Sequence, residues 1–174
     1  MSNPFESGQR KVIPAVLIYP KWGDQVLMLH RNTKGRPGDY HSGKWNGLGG
    51  KLELDESPLE GAVREFSEES GLTLPESAFK PLGVLQFPNF KALQNEDWLV
   101  TVFVAHLKKD NPDRVPSHSE EGELHWISTS EIFNLNLWPG DRHFLPFVLE
   151  EKAFIGTIWY HGPEVSRWWL SKLD

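Results

Sequence analysis

Along the 174 residues, the apolar positions run together, alternate or recur at helical spacing, and each pattern predicts an element. Residues 12–19 (VIPAVLIY) and 25–31 (QVLMLHR) are β-rich runs that read as strands. Pro20-Lys21-Trp22-Gly23-Asp24 joins them as a hairpin or short loop. Residues 82–87 and 98–107 predict two more strands, the second buried on both faces because Leu99 to Ala105 is almost unbroken apolar sequence. A short strand is expected over 123–127, and two others over 154–160 and 165–173 around His161-Gly162-Pro163.

Between these runs the period changes to that of a helix. Leu59, Ala62, Val63 and Phe66 recur at i, i+3, i+4 and i+7, one apolar stripe that must face a core. Ser57 is placed as N-cap, Pro58 as the first helical residue, Glu60 as the closing member of a capping box, and Gly71 as a left-handed stop. Ser128 and Glu131 offer a second capping box for a short helix ending near Leu135, and Asp141 caps a helix carrying Phe144, Phe147 and Val148 on one face. Residues 32–43 hold several glycines and a proline among charges and read as a flexible loop able to act as a lid; 108–119 form a charged loop. The result is an α+β fold, a mixed sheet with helices packed on it. No repeat or linker divides the chain, so one domain over 1–174 is expected, with 1–10 loose.

Composition narrows the functional classes. A hydrophobic share of 39% is that of an ordinary globular protein, and a net charge of −6 argues against a partner that is a DNA or RNA polymer. A small polyanion bridged by metal remains compatible. The sequence contains no cysteine, which removes disulfides and thiolate chemistry together. Neither a signal peptide nor a membrane span is recognisable, so a soluble cytoplasmic protein that touches no membrane is expected, a monomer or a homodimer.

Glu65, Glu68 and Glu69 share a second face of the predicted helix, since they too stand at i, i+3 and i+4. Like charges at this spacing weaken a helix by about 0.2 to 0.5 kcal/mol per pair. Such a cluster is either a solvated acidic face or the site of a hard cation, for which carboxylate oxygens are suited.

The stretch over 50–72 decides between these. Gly50, Glu56 after five residues, and Arg64-Glu65-Phe66-Ser67-Glu68-Glu69-Ser70-Gly71-Leu72 after seven more match the signature of the Nudix hydrolases at every defined position. By chance such a match is on the order of a 10⁻⁷ event. The chain therefore resembles that family, which implies an α/β/α sandwich with a loop–helix–loop box, and hydrolysis of nucleoside diphosphate-linked compounds with Mg2+ or Mn2+. The resemblance makes Glu65, Glu68 and Glu69 metal ligands, with a carbonyl of Gly50 or Gly49, and Glu56 a weaker candidate. Arg64 is assigned to fixing Glu65 and the loop. The general base is either Glu65 or an acid from Glu120-Glu121, where Glu121 matches a loop glutamate of MutT-like members; a solvated acidic loop is the alternative.

The resemblance extends to MutT-like diphosphatases of oxidised purine nucleoside triphosphates, such as 8-oxo-dGTP. It is carried by Trp45-Asn46-Gly47-Leu48-Gly49-Gly50-Lys51 and Trp138-Pro139-Gly140-Asp141. It implies a small nucleotide as substrate, with Asn46 and Asp141 hydrogen-bonding the base, Trp138 and Phe87 stacking on it, and Lys51 a further substrate-binding residue. The relatives carry two adjacent acids after Trp-Pro, where this chain has Gly140 and then Asp141. Asp141 as a mere cap and Trp138 as a mere core residue stay open. So does a second enzyme class, the ADP-ribose type of nucleoside diphosphate-sugar pyrophosphatases, through Pro88, about 16 residues beyond the box. A nucleotide-sensing module without catalysis conflicts with the complete glutamate set, and the related isoprenoid diphosphate isomerases need a cysteine.

Overall fold

The computed structural model describes residues 3–31, 43–108 and 115–174. Most of the expected lid over 32–43, and residues 109–114 of the charged loop, lie outside the described residues. The strands are β1 (Lys11–Trp22), β2 (Gln25–His30), β3 (Trp45–Asn46), β4 (Phe79–Lys91), β5 (Glu96–His106), β6 (His118–Ser119), β7 (Gly122–Ser128), β8 (Phe154–His161) and β9 (Glu164–Lys172); the helices are α1 (Pro58–Ser70) and α2 (Asp141–Leu149). They form one mixed sheet in the order β6-β7-β2-β1-β5-β4-β8-β9, with β3 on β2. The β1–β5 and β4–β8 pairs are parallel and the other neighbours antiparallel.

The period of two along the central strands builds two cores. Ala15 and Tyr19 of β1 face one core with Phe144, Leu145 and Val148 of α2, whereas Val16 and Ile18 face the other with Ala62 and Phe66 of α1. The helices therefore cover opposite faces of the sheet, and β5 is buried on both over Val102, Phe103, Val104 and Ala105. α1 forms as its sequence dictates. Glu60 N–H donates to Ser57 Oγ at 3.3 Å, Ser57 N–H donates to Glu60 Oε2 at 2.9 Å, and Gly71 ends the helix at φ 68°.

Several local expectations are corrected. β1 continues through Trp22, which packs against Trp126 at 6.3 Å, so the turn to β2 shrinks to Gly23-Asp24. Residues 128–135 yield only a short 3-10 turn, Ile132–Asn134, because Ser128 Oγ bonds Ser130 Oγ at 3.1 Å instead of capping. Asp141 does not cap α2: Gly140 occupies the cap position without a side-chain bond and Asp141 is the first helical residue. Arg10, at the end of the stretch expected to be loose, pairs with Asp97 and donates to Asn89 at 3.3 Å, which leaves the expectation for 1–10 as a whole standing. β3 and β6, each of two residues, are too short for any periodicity to announce them.

Candidate active site

Two glycines bring the loop before α1 against its carboxylates. Gly49 has φ 139°, where a Cβ would collide with the Val16 carbonyl, and its N–H donates to Glu69 Oε2 at 2.8 Å. A Cβ at Gly50 would stand 2.5 Å from Glu65 Oε1. The Gly50 carbonyl accepts the Val16 N–H at 2.9 Å, which anchors the loop to β1.

The three helix carboxylates share one face, spread over about 100° in all, yet they differ in environment. Glu69 is buried, and burial pushes its carboxyl up to about 8, with the Gly49 N–H opposing that shift and Glu65 adding to it. Burial also raises Glu65, against the pull of Arg64. The Glu68 side chain is 60% exposed.

Arg64 bonds carboxylates of both the loop and the helix. Its Nε and Nη2 donate to the two oxygens of Glu56 at 2.7 and 2.9 Å, and Nη1 reaches Glu65 Oε1 at 2.9 Å and Glu68 Oε2 at 3.2 Å. Nη2 also donates to the Lys51 carbonyl at 3.1 Å, which ties helix to loop. The guanidinium holds the Glu56 carboxyl down at about 2. With both oxygens bonded to Arg64, Glu56 braces the loop, and it is not among the residues that line the cavity described below.

Among the described residues no three carboxylates or imidazoles converge as a ready metal cluster. The expected trio is drawn apart, Glu69 toward Gly49 and Glu65 and Glu68 toward Arg64. The donor set nevertheless fits a hard divalent ion: Glu65, Glu68, Glu69 and Gly50 line one cavity, and a cation beside buried carboxylates favours their charged form.

That cavity has a volume of about 770 Å³. Asn46, Lys51, Phe87, Trp138 and Asp141 line it as well, so every site residue named from the sequence lines it except Glu56 and Arg64, which pair with each other. Trp138 is both things at once, a buried core residue and a cavity wall. Lys51 Nζ lies 5.6 Å from the Trp98 ring centroid. Glu121 is paired with Arg31, and both line the cavity. Asp141 is buried and receives no hydrogen bond at its carboxyl among the described residues, and burial pushes that group up to about 8 despite Lys44 and Arg142.

Sequence reasoning missed Arg31, Trp98 and Tyr160 among the lining residues. Arg31 had a signal, since it directly follows β2 beside the expected lid. Tyr160 had none, because it comes from a strand far along the chain that reaches the site only through the β4–β8 pairing.

This combination of a two-faced mixed sheet and a glycine loop against helix carboxylates defines a class. Residues 10–148 match the NUDIX domain family, and the chain belongs to it; it is a Nudix hydrolase. Such enzymes act on small-molecule nucleotides. The oxidized purine nucleoside triphosphate hydrolase of Mus musculus is 33% identical over 132 residues, 76% of this chain and 77% of the relative. An uncharacterized Nudix hydrolase of Bacillus subtilis is 29% identical over 141 residues, covering 81% and 82%. Among solved structures, a MutT mutator protein from Bacillus halodurans superposes with TM-score 0.75 at 26% identity, covering 91% of this chain and 97% of that one. No helix among the described residues is long and apolar enough to cross a membrane.

Proposed function

We propose that the protein hydrolyses purine nucleoside triphosphates, oxidised forms such as 8-oxo-dGTP included, to the nucleoside monophosphate and pyrophosphate, and so cleanses the nucleotide pool. One observation carries this reading. The buried Asp141 carboxyl, without a hydrogen bond among the described residues, opens onto the same cavity as Glu65, Glu68 and Glu69. Kept protonated by burial at neutral pH, it both donates and accepts, which suits the adjacent donor and acceptor of a purine edge. Asn46 adds an amide and Trp138 a π-face. The mouse relative, an oxidized purine nucleoside triphosphate hydrolase, supports the same substrate class.

Glu65, Glu68, Glu69 and the Gly50 carbonyl are the residues that would hold Mg2+ or Mn2+, and the ion, when bound, neutralises phosphate charge and polarises a water. Arg64 keeps Glu65 aimed into the cavity while Gly49 restrains Glu69. Lys51 and Arg31 add positive charge for the phosphate chain. Glu121, outside the box and oriented by Arg31, takes the proton of the attacking water as its oxygen bonds to phosphorus and the P–O bond to the departing pyrophosphate breaks. Pro88, the residue that suggested an ADP-ribose substrate, belongs to β4 and is not among the lining residues, so no observation favours that reading.

The test is a panel of nucleoside triphosphates, 8-oxo-dGTP, ADP-ribose and dinucleoside polyphosphates assayed with Mg2+, products resolved by chromatography. Monophosphate and pyrophosphate from purine triphosphates at the highest kcat/KM are expected. A higher kcat/KM on ADP-ribose would overturn the reading.

A further inference from the structure

Tyr19 of β1 is wholly buried, and its hydroxyl has no hydrogen-bond partner among the described residues. An unpaired buried hydroxyl is destabilising, so stability alone favours phenylalanine there. The Tyr19 ring meets Phe144 of α2 edge-on at 6.4 Å. Asp141 stands three residues before Phe144, hence on the same face of α2, and is itself buried. The ring also backs the glycine loop. Ile18 and Leu48 exchange backbone hydrogen bonds at 2.7 and 2.9 Å, which lays Gly47 so close to β1 that a Cβ there would stand 3.0 Å from Tyr19 Cε1. Asn46, Gly47 and Asp141 line the cavity, whereas Tyr19 does not. The phenol is therefore behind the cavity wall, against both the loop that carries Asn46 and the helix turn that carries Asp141. Asp141 is the charged group that acts most on the hydroxyl, followed by Tyr160 of β8, while Lys44 and Arg142 act on the carboxyl.

We infer that Tyr19 is a positioning residue for base recognition, its buried hydroxyl orienting from the core side the Asp141 carboxyl that reads the purine edge. The inference rests on the purine reading of the site and deepens it. A protonated carboxyl has two unlike oxygens, one bearing the proton and one bare, and the one that faces the base decides whether the base meets a donor or an acceptor. Burial and the field of Asp141 hold the phenol's proton well above its usual range, so the group is a donor throughout neutral pH. When the carboxyl turns on binding so that its bare oxygen accepts from Tyr19, the proton-bearing oxygen is left to the cavity and donates to the base. That arrangement satisfies two buried groups that carry no hydrogen bond among the described residues, so the gain falls on the complex. Tyr19 acts only through Asp141, away from the reacting phosphates, and its loss is expected in KM more than in kcat.

The experiment is a cycle of Tyr19→Phe, Asp141→Ala and the double variant, measured in the intact chain with Mg2+ on dGTP, 8-oxo-dGTP, dCTP and ADP-ribose, with thermal midpoints alongside. Tyr19→Phe is expected to raise KM for the preferred purine by about threefold to tenfold, with kcat changed by less than about twofold, dCTP little affected and the midpoint unchanged or higher. In the Asp141→Ala background the same substitution is expected to change KM by less than about twofold. Purine KM values unchanged by Tyr19→Phe would overturn the inference, and so would a rise by the same factor in both backgrounds or on dCTP as well. A lowered midpoint would mean that the hydroxyl is already satisfied in the free protein, which also overturns it. A wild-type protein that prefers ADP-ribose would overturn the purine reading itself, a failure visible before any substitution is made.

Discussion

Arg64 grips Glu56 with two nitrogens of its guanidinium, Nε at 2.7 Å from one carboxylate oxygen and Nη2 at 2.9 Å from the other, while Nη1 reaches on to Glu65. One cation thus fixes the loop before α1 and a carboxylate of the site. A lysine keeps the charge but loses the planar fork. Arg64→Lys is expected to destabilise by about 1.5 to 3 kcal/mol and to lower kcat through disorder of Glu65. Chemical denaturation and kinetics on the same preparation check both; full stability and full activity together would contradict the pairing role.

Glu68 is exposed and faces away from the apolar stripe of α1, so its substitution leaves the fold intact. Glu68→Gln is expected to reduce kcat by about 10²-fold or more, through lost metal binding, with an unchanged thermal midpoint. Near wild-type turnover at saturating Mg2+ would remove Glu68 from the ligand set.

Phe66 lies inside the family signature yet is structural. It is fully buried and meets Phe79 edge-on at 5.6 Å. Phe66→Ala is expected to cost about 3 to 5 kcal/mol. Urea titration measures it, and a loss below about 1 kcal/mol would mean that the helix faces another way.

The stability of the protein carries the mark of Asp141. Its folded carboxyl is raised from 3.8 to about 8, so between these values the native state binds more protons than the unfolded chain, and stability falls as pH rises. Below about 3.8 the carboxyl is neutral in both states and this stability is fully present; it is lost as pH rises toward about 8. Asp141→Asn removes this dependence; the variant should gain on the wild type in thermal midpoint from pH 5 to pH 8. A constant difference across that range would show that Asp141 is charged in the native state.

α1 was legible to the residue because cap, stripe and stop are all local, and each strand of six or more residues was foreseen because a period of two survives in a short window. The site was legible where its residues are neighbours in sequence, as in Glu65, Glu68 and Glu69. What escaped depends on partners distant along the chain. Tyr160 meets Gly140 only after β8 has paired with β4, and Asp141 turned from an expected cap into a buried acid because Gly140 took the cap position. Glu56 and Arg64 stand eight residues apart, and nothing in the spacing announced that one would fully occupy the other.

Base recognition by Asp141 is the claim on which the substrate class turns, and kcat/KM for dGTP, 8-oxo-dGTP and dCTP on the wild type and Asp141→Ala, well below the melting temperature, tests it most directly. Removing the carboxyl leaves a donor or acceptor of the purine unpaired, at about 1 to 3 kcal/mol in the transition state, a loss of about 5- to 150-fold. The two purine substrates should lose that much and dCTP far less. An equal loss on all three would contradict base readout by Asp141.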